Sequence, residues 1–163
     1  PSRTVQWIRK RLHDILDSDA FTERIRFEKK VPAYHGLKKT LSGLKLQRIL
    51  FFSSCRKERL LTMLRDFRNF FPRVPIDIFG RQDSELQSEA SGYYVYPDSG
   101  FYDSEKVDFS WFENRRYTLI VIPYFNYLGK GYENIHAIAR AINSEKRIGI
   151  GIEGDVLELK NDR

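Results

Sequence analysis

Residues 48–80 read RILFFSSCRKERLLTMLRDFRNFFPRVPIDIFG, and the alternation within this stretch decides the fold. The run Ile49-Leu50-Phe51-Phe52 is short, unbroken and ended by Ser53 and Ser54, as expected of a strand buried on both faces. Leu60, Leu61, Leu64, Phe67 and Phe71 then recur every three or four residues, with Lys57, Glu58, Arg65, Asp66 and Arg68 on the outside and Pro72 closing the segment. Val74 to Phe79 makes a second strand, stopped by Gly80. Strand, helix and strand in so short a window form a βαβ unit, whose strands are parallel and whose crossover is right-handed.

Working outward, the same texture recurs downstream. Thr118 to Ile122 is an apolar run ended by Pro123. A loop with Gly129 and Gly131 follows, then a helix marked by Ile135, Ile138, Ala139 and Ile142, then a strand from Ile148 to Ile152. Between the two units, Gln82 to Asn114 is polar and aromatic, with a short strand at Tyr93 to Tyr96 and a turn at Pro97 to Gly100. Upstream, Val5, Ile8, Leu12, Ile15 and Leu16 lie at helical spacing, which predicts an amphipathic helix over about residues 4–16. Phe21 to Gln47 reads as an irregular basic connector broken by Pro32, Gly36 and Gly43. The expectation is an α/β, Rossmann-like three-layer domain with a mostly parallel sheet over 48–163, preceded by a helix and connector over 1–47.

The 163 residues suffice for one substantial core. Cys55 is the only cysteine, which rules out an internal disulfide and a cysteine-based zinc cluster. His13, His35 and His136 have no metal-ligand spacing. No stretch has the apolar length of a membrane span, and the start lacks a signal-peptide core. A cytoplasmic setting follows as an expectation, with association to a membrane allowed. The net charge of +6 is uneven: residues 1–48 hold twelve Lys or Arg against five Asp or Glu, which leaves sixteen against seventeen for the rest. The basic part suits an acidic partner domain, an anionic membrane surface or nucleic acid; a solvated helix face accounts for the same charge equally well.

Ligands of open parallel sheets bind beyond the carboxyl ends of the strands, where helix N-termini offer unpaired N–H groups. Two loops take that position. Ser53-Ser54-Cys55-Arg56-Lys57 leads into a helix bearing Arg59, and small hydroxyls beside a basic cluster suit a phosphate. In the second loop, Tyr124 to His136, Asn126 and Lys130 are polar, Tyr124 and Tyr132 are candidates to stack on a base, and Glu133 is a candidate acceptor for sugar hydroxyls. His136 and Glu133 are the candidates for acid–base catalysis. Each feature also has an ordinary structural role: Ser as a helix cap, aromatics on a connection, His136 in packing. Cys55 at a helix start would be a nucleophile only with a base that the sequence does not identify.

Together the two loops resemble the C-terminal, nucleotide-sugar-binding domain of GT-B glycosyltransferases. The segment from Ile49 to Arg81 is similar to the fucosyltransferase pattern of a strand ending in a Ser/Asn-Cys turn, an Arg, and a strand ending in a Val-Asp-x-Tyr-Gly type sequence; Arg59, Asp77 and Gly80 match those positions. That resemblance makes Arg59 a ligand of the diphosphate. Tyr117, Asn126 and Tyr132 match the family's second block, while Phe125 stands where its Glu belongs, and Asn134-Ile135-His136 replaces its Thr-Glu-Lys. Heptosyltransferases are matched by the run from Phe71 to Asp77 and the Gly131 to Ala139 spacing. The resemblance implies a metal-independent transferase, using a nucleotide-diphosphate sugar as donor substrate and no further cofactor, completed by a second domain. The competing expectation is a non-catalytic α/β interaction or regulatory domain that binds a partner or nucleic acid through its basic N-terminal part.

Overall fold

The computed structural model describes residues 34–160. The N-terminal helix expected over about 4–16 lies outside the described residues, as does the first part of the connector. The sheet has six strands: β1 (Ile49–Phe52), β2 (Ile76–Gly80), β3 (Gly92–Val95), β4 (Tyr117–Pro123), β5 (Ser144–Ile150) and β6 (Val156–Glu158). Their spatial order is β3-β2-β1-β4-β5-β6. The first five are parallel and β6 runs antiparallel to β5. The fold is α/β and Rossmann-like, with the order reversing between β1 and β4.

Three layers follow from the strand patterns. In β1 all four side chains are buried, because successive residues face opposite sides of a sheet covered on both. Leu50 and Phe52 join a cluster with Phe79, Ile120 and Ile122. Ile49 and Phe51 join the other, with Ile78, Leu119 and Val121. The second face is covered by α1 (Leu37–Thr40), α2 (Lys57–Phe70) and α3 (Ser84–Glu89), through Leu37, Leu60, Leu64, Phe67 and Leu86. The first face is covered by α4 (Glu133–Ala141), through Ile138 and Ala139.

Where a second crossover helix would stand on that first face, the β3–β4 connection supplies two short 3-10 turns, Ser104–Lys106 and Phe109–Phe112. Aromatic side chains fill the space instead. Tyr94 lies 5.0 Å from Phe79, and Phe112 lies 5.1 Å from Tyr94, between ring centroids. Each ring covers as much sheet as a helical residue would, and edge-to-face and offset contacts add to the burial.

The packed domain begins before residue 48. Tyr34 and Leu37 are buried against Phe67 and Phe70, and His35 N–H donates to Gly154 O at 2.9 Å. The last fourteen residues of the expected connector are therefore part of the domain, held by contacts that a search for periodicity does not register.

Asp77 lies near the start of β2, beside Leu50 of β1 and Gly92 of β3, and is fully buried. Arg48 grips it through Nε at 2.9 Å and Nη2 at 3.2 Å, and the Tyr117 hydroxyl donates to it at 2.7 Å. Burial, then the bond to this carboxylate, pushes the Tyr117 hydroxyl well above the usual phenol range. A buried carboxylate is tolerated only when paired and hydrogen-bonded, and this one is both. Asp77 and Tyr117, two of the residues singled out by the glycosyltransferase resemblance, thus bond to each other near the amino ends of the strands.

Candidate functional site

The carboxyl ends of β1 and β4, on either side of the point where strand order reverses, open into a cleft of about 560 Å³. β1 supplies its floor through Ser53, Ser54, Cys55 and Arg56. The loops after β2 and β3 supply one wall, with Arg81, Phe101 and Tyr102. The β4–α4 loop and the start of α4 supply the other, with Phe125, Gly131, Tyr132, Asn134 and Ile135.

Local bonding explains why these groups stand where they do. Ser53 N–H donates to Phe79 O at 2.7 Å, and the Ser54 hydroxyl to Pro123 O at 2.7 Å, so the floor is tied to both neighbouring strands. Gly80 permits the approach, since a Cβ there would lie 2.8 Å from Ser53 Cβ. Tyr102 and Tyr132, one from each wall, donate to consecutive carbonyls of the floor: Tyr102 to Ser53 at 3.0 Å and Tyr132 to Ser54 at 2.6 Å. Arg56 precedes α2 as its N-cap without a side-chain cap bond, which leaves the first N–H groups of that helix without a side-chain acceptor from the cap residue. Among the described residues its guanidinium forms no ion pair. Arg81 lies over the Tyr102 ring, 4.3 Å from the centroid, and donates to Gly100 O.

Among the described residues no carboxylate lines the cleft, so none in the lining faces the positive charges of Arg56 and Arg81. Its protic groups hold their protons. Burial raises the Cys55 thiol to about 11 against the opposing effect of nearby Arg59, and burial also raises Tyr102 and Tyr132. At neutral pH Cys55 is a thiol and not a nucleophilic thiolate.

Of the residues expected to bind ligand, Ser53, Ser54, Arg56 and Tyr132 line this cleft. The rest stand elsewhere. Arg59 is half-buried behind the floor, donating to the carbonyls of Tyr124, of Gly151 at 2.6 Å and of Ile150 at 3.4 Å. Tyr124 is 1% exposed, its ring pressed into space left by Gly129 and Gly149, and its hydroxyl lies 2.7 Å from His136 Nε2. With both Tyr124 and Tyr132 buried, neither has a free face for a base; a glycine-built slot and the floor carbonyls have absorbed them. Asn126 organises its own loop, accepting from Gly129 N–H at 2.6 Å and donating to Lys130 O at 2.8 Å. The Lys130 and Glu133 side chains are exposed outside the lining, Glu133 opening α4.

His136 is half-buried against Tyr124 and Tyr132 and does not line the cleft. Burial, then the charge of Arg140, holds its pKa below the ordinary imidazole range. It is a neutral packing partner of Tyr124, the structural alternative open to it from the sequence.

Arg81, Phe101, Tyr102, Phe125 and Asn134 are among the cleft residues that were not expected as ligands. Arg81 follows the last residue of β2, so its place at a strand's carboxyl end was available as a signal. Phe101 had none beyond its turn. Exposed large hydrophobic residues among the described ones are Val95, Phe101, Phe125, Tyr127, Leu128 and Ile152, all at or just beyond the carboxyl ends of strands. No three His, Cys, Asp or Glu side chains of the described residues gather into a metal-holding group, and no described helix is long and apolar enough to cross a membrane. No family model matches the chain, and no curated protein or solved structure matches it.

Proposed function

We propose that this chain is the donor-binding domain of a metal-independent glycosyltransferase of GT-B type, and that it holds a nucleotide-diphosphate sugar in the cleft between β1 and β4. The observation that carries this reading is that Arg56 and Arg81 line one cleft together with Ser53 and Ser54, with no carboxylate of the described residues in the lining. Two guanidiniums and the first N–H groups of α2 form a preorganised positive site, as a leaving diphosphate requires. The sugar and the transfer come from the sequence resemblance; the diphosphate comes from the cleft's own charge.

On this reading, the phosphate role that the resemblance gives to Arg59 passes to Arg56 and Arg81, because Arg59 is committed to three strand-end carbonyls. No Asp, Glu or His of the described residues lines the cleft, so on this reading the domain binds and orients the donor while a partner domain supplies the base and acceptor. The basic segment 1–48 serves contact with that partner or with an acidic acceptor surface.

Calorimetric titration and thermal shift with UDP, GDP and their sugars test the proposal. A ligand at ten times its Kd adds about 1.4 kcal/mol of stability, which is readily measured. Arg56→Ala with Arg81→Ala should abolish the shift, with a small drop in the unliganded melting temperature from the lost Arg81 contacts to Tyr102 and Gly100. Absence of binding by every nucleoside diphosphate at millimolar concentration rejects the proposal.

A further inference from the structure

We infer that the cleft recognises the aromatic base of its ligand by stacking it between Phe101 and Phe125, so that the ligand is a nucleotide and not a sugar phosphate or an inorganic diphosphate. The inference rests on reading the cleft as a site for a diphosphate-bearing ligand, and adds what stands at the other end of that ligand.

Phe101 and Phe125 both line the cleft, and the two residues are 91% and 64% exposed. A single exposed phenylalanine is unremarkable. These two are distinguished by how they are mounted. Phe101 adjoins Tyr102, whose hydroxyl bonds the Ser53 carbonyl at 3.0 Å. Phe125 N–H donates to the Tyr132 hydroxyl at 3.0 Å, and that hydroxyl bonds the Ser54 carbonyl at 2.6 Å. Each phenyl is thus anchored to one of two consecutive floor carbonyls, by loops that approach β1 from the β2–β3 side and the β4 side of the sheet.

The anchors have further contacts of their own. Arg81 lies against Tyr102 and donates to Gly100 O, which fixes the backbone on both sides of Phe101. The Phe125 ring packs 5.3 Å from Tyr132, and Tyr132 packs 4.7 Å from buried Tyr124. Exposed rings on backbones held by such contacts are the arrangement of a stacking platform, which accepts any base because every base has a π face. A diphosphate or sugar phosphate has no such face and would leave both rings wet. The Arg81 guanidinium, beside the Phe101 stub, then joins the platform to the phosphate subsite.

The test is titration of the protein with UDP, GDP and inorganic pyrophosphate, followed by the double variant Phe101→Ala/Phe125→Ala. Both rings are largely exposed, so the variant should melt with the wild type. The expected result is tighter binding of UDP and GDP than of pyrophosphate by the wild type, and a loss of about tenfold or more in nucleotide affinity by the variant, with pyrophosphate binding unchanged. Phe101→Tyr should retain nucleotide binding. Equal binding of pyrophosphate and nucleotides by the wild type, or nucleotide affinity untouched in the variant, overturns the stacking inference while leaving a phosphate site. If neither nucleotides nor pyrophosphate bind, the reading of the cleft fails with it.

Discussion

Replacing Arg59 separates two roles for one residue. Sequence resemblance makes it a diphosphate ligand; in the fold its guanidinium ties α2 to the ends of β4 and β5. Arg59→Met keeps the stem's bulk and removes the three bonds to Tyr124, Gly151 and Ile150 carbonyls. A hydrogen bond from a charged donor is worth about 1.5–3 kcal/mol, and two of these three are close. Arg59 is only half-buried, and water reaching the freed carbonyls recovers part of the loss, so the net cost is about 3 kcal/mol. For a domain of this size that lowers the melting temperature of the unliganded protein by roughly 10 °C. Nucleotide affinity should fall as a consequence, because the Tyr124 carbonyl directly precedes Phe125 on the cleft wall. Arg59→Lys should recover only a fraction, since a single ammonium does not span three carbonyls. Differential scanning fluorimetry of the unliganded variant is the assay. A melting temperature within about 2 °C of wild type, together with lost nucleotide binding, would refute the structural role and restore Arg59 as a direct ligand.

Two further outcomes follow from the same region. Gly149→Ala should destabilise by several kcal/mol, about 3 or more, because its Cβ would fall 2.1 Å from the Tyr124 ring and force a fully buried side chain to move; if the clash is the cause, adding Tyr124→Leu should recover stability, and strict additivity in denaturant titrations would show it is not. His136 gives the pH dependence: its folded pKa lies below the ordinary value, through burial first and Arg140 second. A base whose pKa is depressed by folding supports stability above its unfolded pKa, about 6.5, and that support is lost as pH falls through that value toward the folded pKa. Melting temperatures of wild type should therefore drop more steeply between pH 7 and 5 than those of His136→Gln, and parallel curves would contradict the assignment.

The sequence by itself determined the scaffold. Unbroken apolar runs such as Ile49 to Phe52 and Thr118 to Ile122 require cover on both faces, and three- and four-residue spacing in 60–71 and 135–142 supplies it; these are local patterns that follow from strand and helix geometry alone. Placing the cleft at the ends of β1 and β4 followed as well, because parallel topology puts loops and helix N-termini at one edge. The short antiparallel β6, the helix Ser84–Glu89 and the attachment of Tyr34 and Leu37 were not legible, since each is held by partners distant in the chain and not by a period of its own.

The tertiary structure decided which side chains line the cleft. Arg59 and Arg56 are both basic residues at one helix start, yet one helical turn separates a half-buried side chain bonded to strand ends from one exposed in the cleft lining. Tyr124 and Phe125 are adjacent aromatics, and two glycines at 129 and 149, neither beside them in sequence, leave room to bury the first and turn the second outward. Composition gives a residue its chemistry, but exposure depends on which backbone comes near it. That is set by long-range packing, which no local pattern in the sequence records.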